Sequence, residues 1–389
     1  MVLYPIFRLF LLNSILVSIK SQIINIRVGS PLFSSSEGKE PVTLRPTYNI
    51  PIFASESKIP NNVLKQIRDY IEHNTCIRIF NKNKKISEEF GINFESDNYC
   101  LVLNNNTANN QSTIKFDNSC RNNISELYQM IFRALGVPYE HKRLERDDYI
   151  TVNNGNIIDD FRKDFEKEEI NRTNLGPYDF GSLMHFGPYK YNQNGHKTVT
   201  VNNITYKNFY EKMMAPNKNV TFRDIRSLNS IYCNHSCTTN VTCKHGGYQH
   251  PNFCNRCKCP IPFNGSMCET IEPHKIDDCG NGTLTATANA SYLYIIHSNK
   301  CNYMITTKDS NKKIQLYIYG TSIKGQYYCS ESFSLQVKYQ QDKGNTGLCL
   351  CGSIENTTIT SEDNSVFIIY RGYDNSKSRV FVQYKEVDK

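Results

Sequence analysis

The 389-residue chain has no run of basic residues and no basic stretch interleaved with aromatics. Its formal charge of +8, from 45 Lys+Arg against 37 Asp+Glu, is scattered and gives no nucleic-acid surface. Past the N-terminus, no apolar segment reaches the roughly 20 residues that cross a bilayer, so the sequence predicts no membrane span. There is no strong internal repeat. With 20 Gly and 14 Pro, the composition also excludes a collagen-like or disordered chain. What remains is globular: 39% apolar and 12% aromatic residues can build a sizeable core. At roughly 100–200 residues per domain, the length predicts two to four units.

Cysteine is the residue in excess. Fifteen are too many for an ordinary cytosolic enzyme, and the odd number leaves at least one thiol free or paired between chains. At the N-terminus, Arg8 precedes an apolar stretch from Leu9 to Ile19, broken by Asn13 and Ser14. It is about half a membrane span, and reads as the apolar part of a signal peptide over residues 1–21 rather than as a buried first element. Sequons occur at Asn105, Asn110, Asn123, Asn171, Asn203, Asn219, Asn234, Asn240, Asn264, Asn281, Asn289 and Asn356, as in a secreted, extracellular glycoprotein.

The cysteines divide the chain. Cys76, Cys100 and Cys120 are widely spaced in a large domain closed by Cys233. Cys237, Cys243, Cys254, Cys257, Cys259 and Cys268 crowd into a segment too short for a core of its own, which needs staples. A zinc knuckle at Cys254-x-x-Cys257-x-Cys259 is the alternative. Cys279, Cys301, Cys329, Cys349 and Cys351 follow.

Val63, Leu64, Ile67 and Ile71 predict a helix, and Cys76 to Phe80 alternates like a strand. Ile124, Leu127, Ile131, Ala134 and Leu135 predict a second helix, with Gly136 as its C-terminal cap. From residue 284 onward, strand-like runs at 292–296, 314–319, 333–337, 366–370 and 380–384 predict an antiparallel sandwich.

Arg133-Ala-Leu-Gly-Val-Pro-Tyr-Glu-His-Lys-Arg-Leu-Glu-Arg-Asp-Asp-Tyr149 resembles the active-site region of the astacin family of secreted zinc metalloendopeptidases. Tyr178-Asp-Phe-Gly-Ser-Leu-Met-His-Phe-Gly187 resembles that family's Met-turn. Thr75 to Phe80 resembles its first cysteine segment, and Asp224 to Cys233 its closing helix. The resemblance implies an α+β fold: a metzincin-like two-lobed peptidase domain over 46–233, preceded by a short pro-segment over 22–45. The family often blocks its zinc with a pro-segment aspartate, but the first aspartate here is Asp69. Residues 234–269 resemble an EGF-like module, and 279–385 an all-β CUB-like sandwich. The implied disulfides are Cys76–Cys233, Cys100–Cys120, Cys237–Cys254, Cys243–Cys257, Cys259–Cys268, Cys279–Cys301, and Cys329 with either Cys349 or Cys351.

Gly136 and Glu140 fix the register of the family motif. Gln129, Arg133 and Tyr139 then occupy the positions of the three zinc-binding histidines, and Met130 that of the general-base glutamate. Phe186 replaces the tyrosine that is a further ligand in the family. Met184 keeps the Met-turn, and Glu140 resembles the glutamate that contacts the processed N-terminus. A catalytic zinc needs three lone-pair donors and an open position. Gln129 offers only an amide oxygen, Arg133 has no lone pair and carries fixed positive charge, and Tyr139 would have to ionise from a pKa of about 10. Met130 cannot take a proton from water, and Phe186 has no oxygen. No metal-ligand spacing joins His141, His185 and His196.

The expectation is therefore a pseudoprotease without a cofactor, where the family has zinc. It would bind extracellular proteins or peptides through its cleft and modules. One alternative is an active zinc metalloendopeptidase; the other is a matrix or surface protein working through its EGF-like and CUB-like units. Gln129 and Arg133, one turn apart and off the apolar stripe, are expected on the floor of the cleft. There Arg133 would stand as a cation with Gln129 and Tyr139 as neighbours, making the cleft attractive to acidic peptides.

Overall fold

A computed structural model describes residues 49–54, 59–104, 111–168, 176–214, 218–274, 279–296, 300–323, 325, 327–372 and 378–389. The signal and pro-segment expectations, and the sequons at Asn105, Asn110 and Asn171, lie outside these residues.

The N-terminal lobe is a five-stranded sheet with helices packed on it. Its strands are β1 (Asn49–Phe53), β2 (Arg78–Asn81), β3 (Ile92–Ser96), β4 (Leu101–Asn104) and β5 (Ser112–Phe116). Their order is β2-β1-β3-β5-β4, and only the β4–β5 pair is antiparallel. Helix α1 (Asn61–Asn74) buries Ile67 and Ile71. Helix α2 (Asn118–Arg121) starts at Asp117, whose carboxylate accepts from two backbone N–H groups. Helix α3 (Ile124–Ala134) starts at Asn123, which caps it in the same way.

Leu127, Ile131 and Leu135 bring α3 into one core with Ile50, Phe94, Ile114 and Phe116. The helix is not amphipathic in the ordinary sense, because Met130, Phe132 and Arg133 are buried as well. It ends as expected. Gly136 has φ +86°, its N–H donates to Arg133, and the Val137 N–H donates to Phe132, the paired bonds of a Schellman cap.

The second lobe has little regular structure: the pair β6 (Ile150–Val152) and β7 (Val199–Val201), several 3-10 turns, α4 (Lys207–Met213) and α5 (Phe222–Tyr232). Thr221 and Asp224 form a reciprocal capping box on α5. Cys76–Cys233 fastens the end of α5 to the strand after α1, and Cys100–Cys120 fastens α2 to β4.

Residues 237–271 carry two small antiparallel pairs. The first is β8 (Tyr248–Gln249) with β9 (Cys257–Lys258); the second is β10 (Phe263–Asn264) with β11 (Thr270–Ile271). The disulfides here are Cys237–Cys254, Cys243–Cys257 and Cys259–Cys268. Cys254, Cys257 and Cys259 each bond a different partner, so they offer no thiolates and the zinc-knuckle alternative is set aside.

The C-terminal sandwich packs two sheets. One is β12 (Thr283–Ala286), β14 (Lys300–Thr307), β19 (Ser365–Arg371), β16 (Leu335–Lys338) and β17 (Leu348–Leu350), in that order. The other is β13 (Ser291–Ile296), β20 (Arg379–Asp388), β15 (Lys312–Ile323) and β18 (Gly352–Thr360). Two of the strand-like runs, 292–296 and 366–370, match their strands closely, and that at 380–384 covers the first half of β20. The run at 333–337 begins only at Leu335, because Phe333 sits in the turn before β16. The run at 314–319 is the middle of a twelve-residue strand. Cys279–Cys301 and Cys329–Cys351 close this unit, and Cys349 is free, buried and pushed up to about 12 by burial.

The sandwich core is continuous with that of the second lobe. Phe180, Tyr210, Met213 and Met214 join Leu348, Cys349 and Leu350 in one cluster.

Gly136→Ala forces a β-carbon into left-handed backbone. The expected loss is about 1–2 kcal/mol of stability in urea denaturation; an unchanged midpoint would mean that the cap does not hold α3 in place.

Candidate functional site

Four segments meet around the expected site: the C-terminal half of α3, the segment 136–142 after it, the 3-10 turns at 159–165, and the Met-turn at 178–187. Their contacts place each residue of the implied ligand set. Gln129 donates its side-chain N–H to the carbonyl of Leu183 at 2.6 Å, tying α3 to the Met-turn. Met130 is buried in the N-terminal core. Met184 is buried too, and its carbonyl accepts from the Glu140 N–H at 3.0 Å.

Arg133 is nearly enclosed. Its two terminal nitrogens donate to both oxygens of Glu168, at 2.8 and 2.5 Å. Its guanidinium carbon lies 5.1 Å from the centre of the Tyr139 ring, a cation–π distance. Lys142 adds a second cation, 3.2 Å from Glu168. Burial alone would raise the Glu168 carboxyl, but Arg133 and Lys142 outweigh it and hold the group below its ordinary value.

The expected environment of Arg133 is thus corrected in two respects. Gln129 turns to the backbone of Leu183 instead of to the guanidinium. The charge is also answered inside the chain by Glu168, instead of being left for an acidic peptide. Only Tyr139 is a neighbour of Arg133 as anticipated. Nothing in the spacing of Lys163 to Glu168 marks Glu168 out, because its partner lies 35 residues away in the sequence.

The aromatic replacements pack together, and Phe186 stacks on His141. Tyr139 and Phe186 have ring centres 5.1 Å apart, and Phe186 lies against His141 at 3.8 Å. Burial raises the Tyr139 phenol although the Arg133 charge opposes it, so Tyr139 stays a neutral hydroxyl. His141 is neutral as well: burial carries it well below its ordinary value. Its Nδ1 accepts from the Phe186 N–H at 3.4 Å, which leaves Nε2 to donate to the Asp164 carbonyl at 3.1 Å. In His185, Nε2 lies 2.6 Å from the Tyr178 hydroxyl and Nδ1 lies 2.7 Å from the Phe186 carbonyl. Burial brings this ring down to about 3. His196 is exposed in a separate loop. Both nitrogens of His141 and of His185 are therefore engaged, and their ring centres are 6.2 Å apart.

Zinc does not fit this set. Arg133 offers no lone pair, Gln129 faces a carbonyl, Tyr139 is held protonated and Phe186 has no donor. Among the described residues, one other cluster of ligand-type side chains exists, Cys100, Asp117 and Cys120. Its cysteines are joined in a disulfide and its aspartate caps α2.

Glu140 is buried against Arg143, at 3.0 Å, and Arg223, at 3.5 Å. On the far side of the Met-turn, the loop 339–346 of the sandwich docks. Arg226 pairs with Asp342 at 2.6 Å, Thr346 donates to Asp179 at 2.9 Å, and Asn345 donates to the Tyr178 carbonyl at 3.1 Å. Gly181 is required here, since a β-carbon would lie 2.5 Å from the Thr346 side chain.

Residues 43–233 match the model of the astacin peptidase family. The chain belongs to the astacin family. This astacin-family chain is 27% identical over 323 residues to zinc metalloproteinase nas-34 of Caenorhabditis elegans, covering 81% of this chain and 51% of that protein. It is 30% identical over 260 residues to zinc metalloproteinase dpy-31 of Brugia malayi, covering 62% of this chain and 42% of that one. The chain thus spans about half the length of the curated relatives it matches. Among solved structures it is similar to high choriolytic enzyme 1, a hatching-enzyme zinc protease of Oryzias latipes. That match has 22% identity, covers 47% of this chain and 88% of the other, and has a TM-score of 0.37. No helix among the described residues is long and apolar enough to cross a membrane.

Two outcomes test the site. Glu168→Gln leaves a buried guanidinium without its carboxylate and should cost about 3–5 kcal/mol; replacing both partners, Arg133→Met with Glu168→Leu, should cost much less. Equal losses in the single and double variants would show that the pair is not the unit that matters. The second outcome concerns acid. His185 takes up a proton near 6.5 when unfolded but only near 3 when folded, so the unfolded chain binds more protons between those values. Its contribution is present in full above 6.5 and is lost as the pH falls toward 3. At pH 5 it should have lost about 2 kcal/mol, read as a steeper drop in urea midpoint from pH 7 to 5 for wild type than for His185→Gln.

Proposed function

We propose that this astacin-family chain is a pseudoprotease: a secreted protein whose cleft has been rebuilt without metal chemistry and which acts by binding other proteins or peptides. The observation that carries this reading is the buried Arg133–Glu168 pair, because the resemblance assigns the position of Arg133 to a zinc-binding histidine. The buried thioether of Met130, at the general-base position, supports it. Seven disulfides fit an oxidising, extracellular setting. We read 234–269 as the EGF-like module, on its pattern of three staples, and 279–385 as the CUB-like binding domain, on its two-sheet sandwich. Because charges on the cleft floor are matched internally, recognition falls to shape, hydrogen bonding and the C-terminal modules.

The competing reading is an active zinc metalloendopeptidase, favoured by the relatives, which are named zinc metalloproteinases. Metal content and peptidase activity of the full, correctly oxidised chain separate the two. We expect no stoichiometric zinc by mass spectrometry and no chelator-sensitive cleavage of a peptide library. About one zinc per chain together with such cleavage would establish the enzyme instead.

A further inference from the structure

The outward face of the β13-β20-β15-β18 sheet carries aromatic rings where a solvated face usually carries polar side chains. The register sets Tyr294 opposite Phe381, and Phe381 opposite Tyr319. In the neighbouring row, Tyr292 and Tyr317 flank Gln383. Tyr294 is 68% exposed, Tyr292 57% and Tyr319 47%. Between the rings lies an open depression of about 640 Å³, lined by Tyr294, Ile296, Tyr319, Arg379 and Phe381 among others. A contiguous apolar patch on a secreted domain is normally covered by something.

The edge strand beside this face supplies the cover. Along the β15–β18 pair, Ile318 faces Thr357 but Gly320 faces Ile354, so Glu355 and Asn356 together stand opposite Tyr319 in a bulge. Asn356 is exposed, with φ +44°, a left-handed conformation that asparagine tolerates. It opens the sequon Asn356-Thr357-Thr358. The Tyr317 hydroxyl donates to Asn356 Oδ1, which puts the amide at the edge of the tyrosine face with its orientation fixed. This bond uses only the amide oxygen, so Nδ2 is left for attachment.

We propose that Asn356 carries an N-linked glycan whose first N-acetylglucosamine lies over Tyr317 and Tyr319. In the attachment step, Nδ2 bonds to C1 of the sugar of a lipid-linked oligosaccharyl diphosphate. The C1–O bond to the diphosphate breaks, the lipid diphosphate leaves with the electron pair, and Nδ2 gives up one proton. The product keeps one N–H and the carbonyl oxygen, so the bond from Tyr317 survives glycosylation. The C–H face of a pyranose is weakly positive and apolar, and it complements the negative face of an aromatic ring. Four of the eight other described sequons differ. Asn123 caps a helix, and the oxygens of Asn203, Asn264 and Asn281 accept from nearby backbone N–H groups.

The test uses the full chain secreted from a eukaryotic host. Peptides released by N-glycosidase in heavy-oxygen water report which asparagines carried glycan. Occupancy at Asn356 is expected. In parallel, nitration of Tyr317 and Tyr319 by tetranitromethane is followed by mass spectrometry in wild type and in Thr358→Ala. That variant destroys the sequon through an exposed side chain and leaves the Asn356 backbone alone. Nitration of both rings should be several-fold faster in the variant. Occupancy at other sequons with none at Asn356 would overturn the proposal, and would show that the chain had nonetheless entered the secretory pathway. Occupancy at Asn356 with equal nitration in the two proteins would overturn the stacking.

Discussion

A buried guanidinium must be answered by a carboxylate, and the organisation of this site follows from that need. Removing Arg133 from water is costly unless both ends of its fork are bonded. Glu168 does this with two parallel contacts. The contact fixes the end of the 159–168 segment against α3. In doing so it brings Lys142 to the same carboxylate and places the Asp164 carbonyl where His141 can donate to it. In a zinc peptidase a metal ties such elements together. Here an ion pair, a cation–π contact and the packed rings of Tyr139, Phe186 and His141 join α3, the segment after it and the Met-turn.

The Met-turn is held from both sides. From the cleft it receives Gln129, and from behind it is bonded by Asp224, whose carboxylate accepts from Ser182 at 2.6 Å and from the Leu183 N–H at 3.0 Å. Asp179 then links the turn to Thr346 of the sandwich. The buried Glu140 and Arg223 and the half-buried Arg143 lie around the same turn, and Arg223 reaches Asn345. Hydrogen bonds from both sides therefore hold the turn.

Much of this was legible in the sequence where the signal is local. The apolar stripe of α3, the glycine that ends it and most sandwich strands could be read from periodicity and turn chemistry, and the Met-turn residues from their resemblance to the family's segment. Strands such as β14 and β18 were not, since Asn302 and a run of threonines hide their alternation. The α3 residues off the stripe were misleading for a different reason. Periodicity distinguishes apolar from polar faces, but it cannot tell water from a buried carboxylate. Only the fold brings Glu168 to Arg133, and only the fold turns Gln129 to Leu183. Cys349 and Cys351 were equivalent by spacing; the strand geometry turns Cys351 toward Cys329 and leaves Cys349 in the core.

The core shared by the second lobe and the sandwich has a mechanical meaning. Phe180 of the Met-turn and Tyr210 of α4 stack at 4.1 Å, and the Tyr210 hydroxyl lies 2.5 Å from that of Tyr339 in the sandwich. Such a joint has no lubricated seam along which the two parts could slide. A force on the sandwich would therefore reach the Met-turn through packed rings instead of being absorbed in a linker.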